Sequence, residues 1–315
     1  MNGKTSKILA LCGGIGGAKL ALGLHRTLPP GQLTVAINTG DDFEHLGLHI
    51  SPDIDTVTYT LAGINDTVRG WGLAGESWHF MESLGRLGGE TWFQLGDRDL
   101  ATHIVRTQRL KAGETLSAVT ADLATRLGIA ARLLPMSDQP VRTMVETVEG
   151  DLPFQRYFVE QQCRPVVKAI RFEGAEDATV QPDVLALLAD PGLKAIVLCP
   201  SNPYLSVDPL LAIPGMREAL RASPAPVIGV SPIVGGRAIK GPTAKIMTEL
   251  GLPVTVRAVA DHYRDLLDGL VIDDADAAEA DQLGMPVAVT GTVMETMDDR
   301  DRLARAVLDF AFSMG

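Results

Sequence analysis

Short apolar runs alternate along this chain with segments whose apolar positions recur every three or four residues, the pattern of parallel βαβ units. The runs that read as strands are Lys7–Cys12, Leu33–Asn38, Ala131–Leu134, Thr143–Val148, Val166–Phe172, Ala195–Cys199, Val227–Val230, Leu270–Ile272 and Val287–Val289. Several are almost wholly apolar, as strands covered on both faces must be. Helices are expected at Gly17–Leu28, Thr56–Leu61, Glu76–Leu87, Arg98–Leu110, Thr115–Leu127, Pro182–Ala189, Met216–Ala222, Thr243–Leu250, His262–Leu267 and Asp298–Phe312. The pattern predicts an α/β protein with a doubly wound, mostly parallel Rossmann-like sheet. Residues 130–173 break the rhythm with denser β character, predicting a smaller β-containing insertion within a single nucleotide-binding domain over 1–315. In such sheets ligands bind beyond the carboxyl ends of the strands, so the loops there are where chemistry is to be sought.

Composition narrows the classes. The 315 residues include 28 Lys and Arg against 39 Asp and Glu, a net charge of −11, and 46% are apolar. A chain of this size and apolarity buries most of its apolar surface, which excludes intrinsic disorder. The acidic balance argues against a nucleic-acid partner, because phosphate-backbone affinity needs clustered Lys and Arg. No apolar run is long enough to span a membrane. Met1–Lys7 and the short run Ile8–Cys12 lack a signal-peptide cleavage pattern. Cys12, Cys163 and Cys199 are too scattered for a disulfide framework or a zinc site, so a reduced, cytoplasmic protein is expected.

The first strand runs into Gly13-Gly14-Ile15-Gly16-Gly17-Ala18-Lys19. Glycines let backbone N–H groups approach a ligand, and a helix N-terminus favours phosphate. The dinucleotide fingerprint fails because Lys19 replaces its third glycine. The Walker A pattern fails because Leu20 replaces Ser or Thr. A diphosphate cradle is therefore the expectation, against a turn that merely packs helix on strand. The second strand ends in Asn38-Thr39-Gly40-Asp41-Asp42, whose carboxylates beside such a cradle suit Mg²⁺. In Ser51-Pro52-Asp53-Ile54-Asp55-Thr56 one aspartate is expected to cap the next helix, with Asp53 suited to the N-cap, and the other to face the cleft. His45 and His49 stand four apart without a third zinc ligand at usable spacing.

Leu95-Gly96-Asp97-Arg98-Asp99-Leu100-Ala101-Thr102-His103 is dense in function-capable groups. On a helix, Asp99, His103 and Arg106 share one face and Arg98 and Thr102 the next. Arg98 in a first turn opposes the helix dipole unless it serves a ligand; a surface charge cluster is the alternative. Two later strands end in Pro200-Ser201-Asn202-Pro203 and Ser231-Pro232-Ile233-Val234-Gly235, loops suited to a base or ribose. Trp71, Trp78 and Trp92 lie close in sequence, either as core or as the wall that a planar ligand needs.

Together these segments, with Leu134-Pro135-Met136-Ser137-Asp138 and Lys240-Gly241-Pro242, resemble the 2-phospho-L-lactate transferase family of coenzyme F-420 biosynthesis. The resemblance implies a Mg²⁺-dependent transfer from a guanosine diphosphate-linked donor carrying phospholactate, phosphoenolpyruvate or phosphoglycerate. The acceptor would be the ribityl hydroxyl of the deazaflavin Fo (7,8-didemethyl-8-hydroxy-5-deazariboflavin), with GMP released and a homodimer as the working form. It places acceptor contacts on Asp55 and Arg98, with Asp99 and His103 beside them. Nucleotide contacts fall on Gly13, Gly14, Gly16, Gly17, Lys19, Asn38, Ser201, Asn202, Ser231, Pro232 and Gly235. Phosphoryl-type transfer needs positioning and charge neutralisation. Asp41, Asp42 and Asp55 are thus the metal candidates, and Asp55, Asp42 and Arg98 the catalytic ones, Asp55 taking the hydroxyl proton. The rival reading is a non-catalytic nucleotide-sugar-binding regulator of the same fold. An NAD-dependent oxidoreductase is weakened by the failed fingerprint.

Overall fold

The computed structural model describes residues 6–314; the first five residues of the Met1–Lys7 segment lie outside them. Its strands are β1 (Lys7–Cys12), β2 (Leu33–Ile37), β3 (Phe43–His45), β4 (Leu48–Ile50), β5 (Arg132–Pro135), β6 (Arg142–Thr147) and β7 (Gly150–Pro153). There follow β8 (Val167–Glu173), β9 (Leu193–Leu198), β10 (Val227–Val230), β11 (Ile233–Val234), β12 (Arg237–Ala238), β13 (Gly269–Ile272) and β14 (Val287–Val289). Seven of them form an all-parallel sheet in the order β14-β13-β10-β9-β1-β2-β5. In β1, Ile8 through Cys12 are fully buried on both faces, because helices cover each side of the sheet.

The expected β-rich insertion is a three-stranded antiparallel sheet, β7-β6-β8. In β6 only Thr143, Val145 and Thr147 are buried, the period-two alternation of a one-sided sheet. The expected strand at Ala131–Leu134 belongs instead to the edge of the main sheet, as β5.

Four helices frame the site: α1 (Gly14–Thr27), α2 (Pro52–Leu61), α3 (His79–Arg86) and α4 (Asp99–Lys111). Helix α1 begins a turn earlier than the pattern predicts, because the Asp53 carboxylate accepts the Gly14 N–H at 2.7 Å and so caps it from α2. Helices α3 and α4 cap each other. Glu76 accepts the Arg98 and Asp99 N–H groups, while Asp97 accepts those of His79 and Phe80. Glu76 is thus a cap outside the helix in which the pattern places it. The expected helix His262–Leu267 is displaced to Val256–His262, where the Thr255 hydroxyl accepts the Ala258 N–H and sets the start.

The chain leaves β1 toward β2 and β5 on one side, then returns to β9, β10, β13 and β14 on the other. The order therefore reverses between β1 and β9. The loops after these strands part there and open a crevice, the position at which doubly wound sheets bind ligands.

Candidate functional site

A cavity of about 690 Å³ opens at this reversal, and two chemically distinct halves line it. The first half holds Gly13, Gly14, Gly16 and Lys19 from the turn into α1, with Ser201 and Asn202 from the loop after β9. Ser231, Pro232, Lys240 and Thr243 extend it. The turn is built by close approach: a Cβ on Gly13 would come within 2.6 Å of Asp53 Oδ2, and one on Gly16 would meet the Pro200 carbonyl. Ser201 Oγ accepts the Gly13 N–H at 3.1 Å and donates to the Gly13 carbonyl at 2.7 Å, locking the two loops together. Asn202 Oδ1 accepts from Tyr204 and Leu205, whereas its buried Nδ2 has no partner.

Two carboxylates stand at the foot of this half. Asn38 Nδ2 donates to Asp41 Oδ1 and to Asp53 Oδ2, both at 2.9 Å, so one amide gathers both acids. Asp41 also accepts from Gln155 at 3.3 Å. Burial pushes Asp53 up to about 6, against the hydrogen bonds from Asn38 and Gly14 that favour its charge. Burial and the charges of Asp53 and Asp42 push Asp41 well above the usual carboxylate range. Two adjacent buried carboxylates without a basic partner call for a proton or a cation.

The second half is a polar network beneath an aromatic wall. Asp55 on α2 pairs with Arg106 on α4 through both terminal guanidinium nitrogens, Nη1 at 3.0 Å. His103 lies between, with Nδ1 3.7 Å from Asp55 and Nε2 3.3 Å from Asp99. The Tyr59 hydroxyl donates to Asp99 at 2.5 Å. Burial pushes Asp99 up, but His103 and the Tyr59 hydroxyl outweigh it and hold the acid below its ordinary value. Burial and the Asp55 and Asp99 charges raise the Tyr59 hydroxyl well above its ordinary value. Trp71 and Phe93 close this half, and Phe154 and Phe158, stacked at 5.3 Å, face the same space.

The expected face of Asp99, His103 and Arg106 is therefore present, and it meets Asp55. Other expected residues lie elsewhere. Arg98 is exposed and outside the cavity lining; its Nη1 donates to the Ala74 carbonyl at 2.7 Å and tethers the loop 64–78. Asp42 turns away into a second cavity of about 190 Å³, where its Oδ2 accepts from Ser51 at 2.8 Å and lies 3.1 Å from His49 Nε2. Asp41, Asp42 and Asp55 do not converge. Among the described residues no three acidic, His or Cys groups meet as a metal cluster. Asp53 takes the place by Asp41 that the sequence reading gave to Asp42 and Asp55, and Ser51 rather than Asp53 is the N-cap of α2.

Gly17 packs on Ser201 and Cys12, and Asn38 works from behind by gathering the two acids. Gly235 lies outside the lining and spends its N–H on Asp276 at 3.0 Å. The Ser231 hydroxyl is engaged with Ile233 of its own loop. Of the three tryptophans only Trp71 lines the cavity. Trp78 lies under Arg69, and Trp92 packs with His45, Phe43 and Arg156. Sequence reasoning passed over Tyr59, Phe93, Gln155 and the Phe154/Phe158 pair. Tyr59 had a signal, one helical turn after Asp55; the others come from segments without a motif.

The family model described as 2-phospho-L-lactate transferase CofD matches residues 8–305. A phosphoenolpyruvate transferase of Streptomyces griseus is 42% identical over 97% of this chain and 98% of its own. A 2-phospho-L-lactate transferase of Methanosarcina mazei is 37% identical over 96% and 99%. A crystal structure of a Bacillus halodurans upf0052 family member shares the fold, with a TM-score of 0.64 at 15% identity over 96% and 99%. The chain belongs to the 2-phospho-L-lactate transferase CofD family, a transferase family of coenzyme F-420 biosynthesis.

Proposed function

We propose that this protein transfers a phospho-acid group from a guanosine diphosphate-linked donor to the ribityl hydroxyl of Fo, releasing GMP. The observation that carries the reading is a single cavity joining a glycine-built turn at the sheet reversal to an aromatic wall over Asp55, Asp99 and His103. The first half suits a diphosphate, which a helix N-terminus and Lys19 would hold. The second suits a planar tricycle with a polyhydroxyl tail, Trp71 and Phe93 covering its rings.

In the reaction the acceptor oxygen forms a bond to the phosphorus that carries the acid. The bond from that phosphorus to the bridging oxygen breaks, and GMP leaves with the electron pair. The hydroxyl proton passes to a carboxylate, and Asp55 is the candidate on the acceptor side. Arg106 fixes that carboxylate in place, and His103 is near enough to share its hydrogen bonding.

The chemistry of Asp41 and Asp53 fits Mg²⁺, which takes few protein oxygens and fills its shell with water and phosphate. These two residues would hold the ion. When bound, Mg²⁺ neutralises charge developing on the diphosphate. It would also offset the burial and the neighbouring negative charge that together raise both acids.

The test is incubation of pure protein with Mg²⁺, Fo and three competing guanylylated acids, those of lactate, enolpyruvate and glycerate. Mass spectrometry is expected to find GMP and an Fo phosphodiester, with the preferred acid identified by mass. Absence of GMP with all three donors would overturn the proposal. Asp53→Asn is expected to abolish Mg²⁺ binding in the presence of GDP by calorimetry.

A further inference from the structure

The loop 64–78 crosses the cleft, and it carries a cation that the fold leaves unused. Arg69 and Trp71 both line the cavity, two residues apart. The loop is pinned at its base by the Ala74 N–H to the Ile64 carbonyl at 2.9 Å and by Arg98 on Ala74. Its tip reaches the opposite rim: a Cβ on Gly70 would stand 3.4 Å from both Ile15 and Lys240. The tip therefore lies at the junction of the two halves, between the phosphate turn and the aromatic wall.

The Arg69 guanidinium rests 4.3 Å over the Trp78 ring, which sets its direction without satisfying its hydrogen bonds. Among the described residues no carboxylate lies within 4.0 Å of it, and its side chain has no hydrogen-bond acceptor. Among the described residues, twelve other arginines are paired with acids, as Arg106 is with Asp55 and Arg109 with Glu114. A stacked guanidinium with free donors, held at the border of a cavity, has the geometry to take a planar anion in two-point fashion.

The donor proposed above presents such an anion at that junction. Each of the three acids carries a carboxylate next to the phosphorus that is transferred, between the diphosphate and the acceptor. We infer that Arg69 binds this carboxylate and so makes the enzyme select acid-bearing donors over plain nucleotides. The inference rests on the donor class given above. Binding the carboxylate also holds the loop tip against the phosphate half, which brings Trp71 over the acceptor site when the donor is in place.

The experiment compares two probes: the guanosine diphosphate ester of lactate, and the ester of 2-propanol, in which a methyl replaces the carboxylate. Affinity for each, and for GDP, is measured by calorimetry with Mg²⁺ on wild type, Arg69→Gln and Arg69→Lys, with Fo turnover followed in parallel. Wild type is expected to bind the lactate ester roughly 10- to 100-fold more tightly than the 2-propanol ester, the range of a charge-assisted hydrogen-bonded pair. Arg69→Gln is expected to erase that preference by losing on the lactate ester alone, with GDP and the 2-propanol ester unchanged. Arg69→Lys should keep part of it, since charge remains but the fork is lost. A preference that survives in Arg69→Gln, or equal losses on all three ligands, would overturn the assignment. Binding with the expected ratios but no turnover would sink the transfer reading and leave Arg69 standing. No binding of either ester to wild type would overturn both.

Discussion

Asp55 and Arg106 are both buried, and each depends on the other for its charge. Removing one partner of a buried pair strands the other ion, at a cost of about 3–5 kcal/mol, whereas replacing both with apolar groups costs far less. Arg106→Met is therefore expected to lower unfolding free energy by about 3 kcal/mol or more in urea titrations. The double variant Asp55→Leu/Arg106→Met should recover most of that loss in stability while remaining inactive. Asp99 supplies a pH-dependent term. Burial raises it, yet His103 and Tyr59 prevail and depress it, so the folded state binds its proton later than the unfolded chain. Its contribution is then present above the ordinary Asp value near 3.9 and is lost as pH falls through the depressed folded value. Urea unfolding should show wild type more stable than Asp99→Asn at pH 7, with the gap shrinking toward pH 3. At this scale the sequence told which residues were acidic and near strand ends, and the helical face of Asp99, His103 and Arg106. It did not tell which aspartate of the Asp53/Asp55 pair meets a cation, because that depends on α4 crossing α2, a contact between residues some fifty apart.

Elements were legible where a period was long enough to be read. All nine runs became strands: seven in the parallel sheet, where strands covered on both faces carry an unbroken apolar signal, and β6 and β8 in the antiparallel sheet, β6 with period-two alternation. The three-residue strands β3 and β4 were missed, since too few positions alternate to establish a period. The Leu95–His103 segment was dense in charge for two reasons that a linear reading merges. Asp97 and Glu76 exchange caps between α3 and α4, which is structural, while Asp99 and His103 face the cavity. Arg98 belongs to a third category, since it holds the base of the loop that carries Arg69 and Trp71. Arg98→Ala should therefore loosen that loop and weaken substrate binding without altering the bond-breaking step. Steady-state kinetics are expected to show KM for Fo raised roughly 3- to 10-fold, the worth of one hydrogen bond, with kcat within about twofold. An equal fall in kcat and kcat/KM would instead place Arg98 on the reacting group, as its motif first suggested.

For the whole molecule, α/β alternation was enough to predict a doubly wound sheet but could not place the site within it. Alternation does not record on which side of β1 each later strand is added, and the reversal between β1 and β9 is what opens the crevice. The reversal also bears on how a chain of net charge −11 would bind the anionic donor proposed for it. It brings the positive end of α1 and Lys19 to the same cavity as Asp41 and Asp53, so the local field is divided. A diphosphate alone would meet the turn favourably and the acid pair unfavourably; a divalent cation held by the acid pair would remove the conflict. Ligand that binds only the folded state stabilises it by mass action, about 2.7 kcal/mol at a hundredfold excess over Kd. For a chain of this size that is roughly 4 °C in Tm. Thermal denaturation is thus expected to rise by roughly that much with GDP and Mg²⁺ together, and by less than about 1 °C with either alone. In Asp41→Asn/Asp53→Asn the requirement should vanish: with the acid pair neutral, GDP alone should stabilise as much as GDP with Mg²⁺. If GDP stabilises wild type equally with and without Mg²⁺, the acid pair does not oppose the diphosphate and the metal assignment fails.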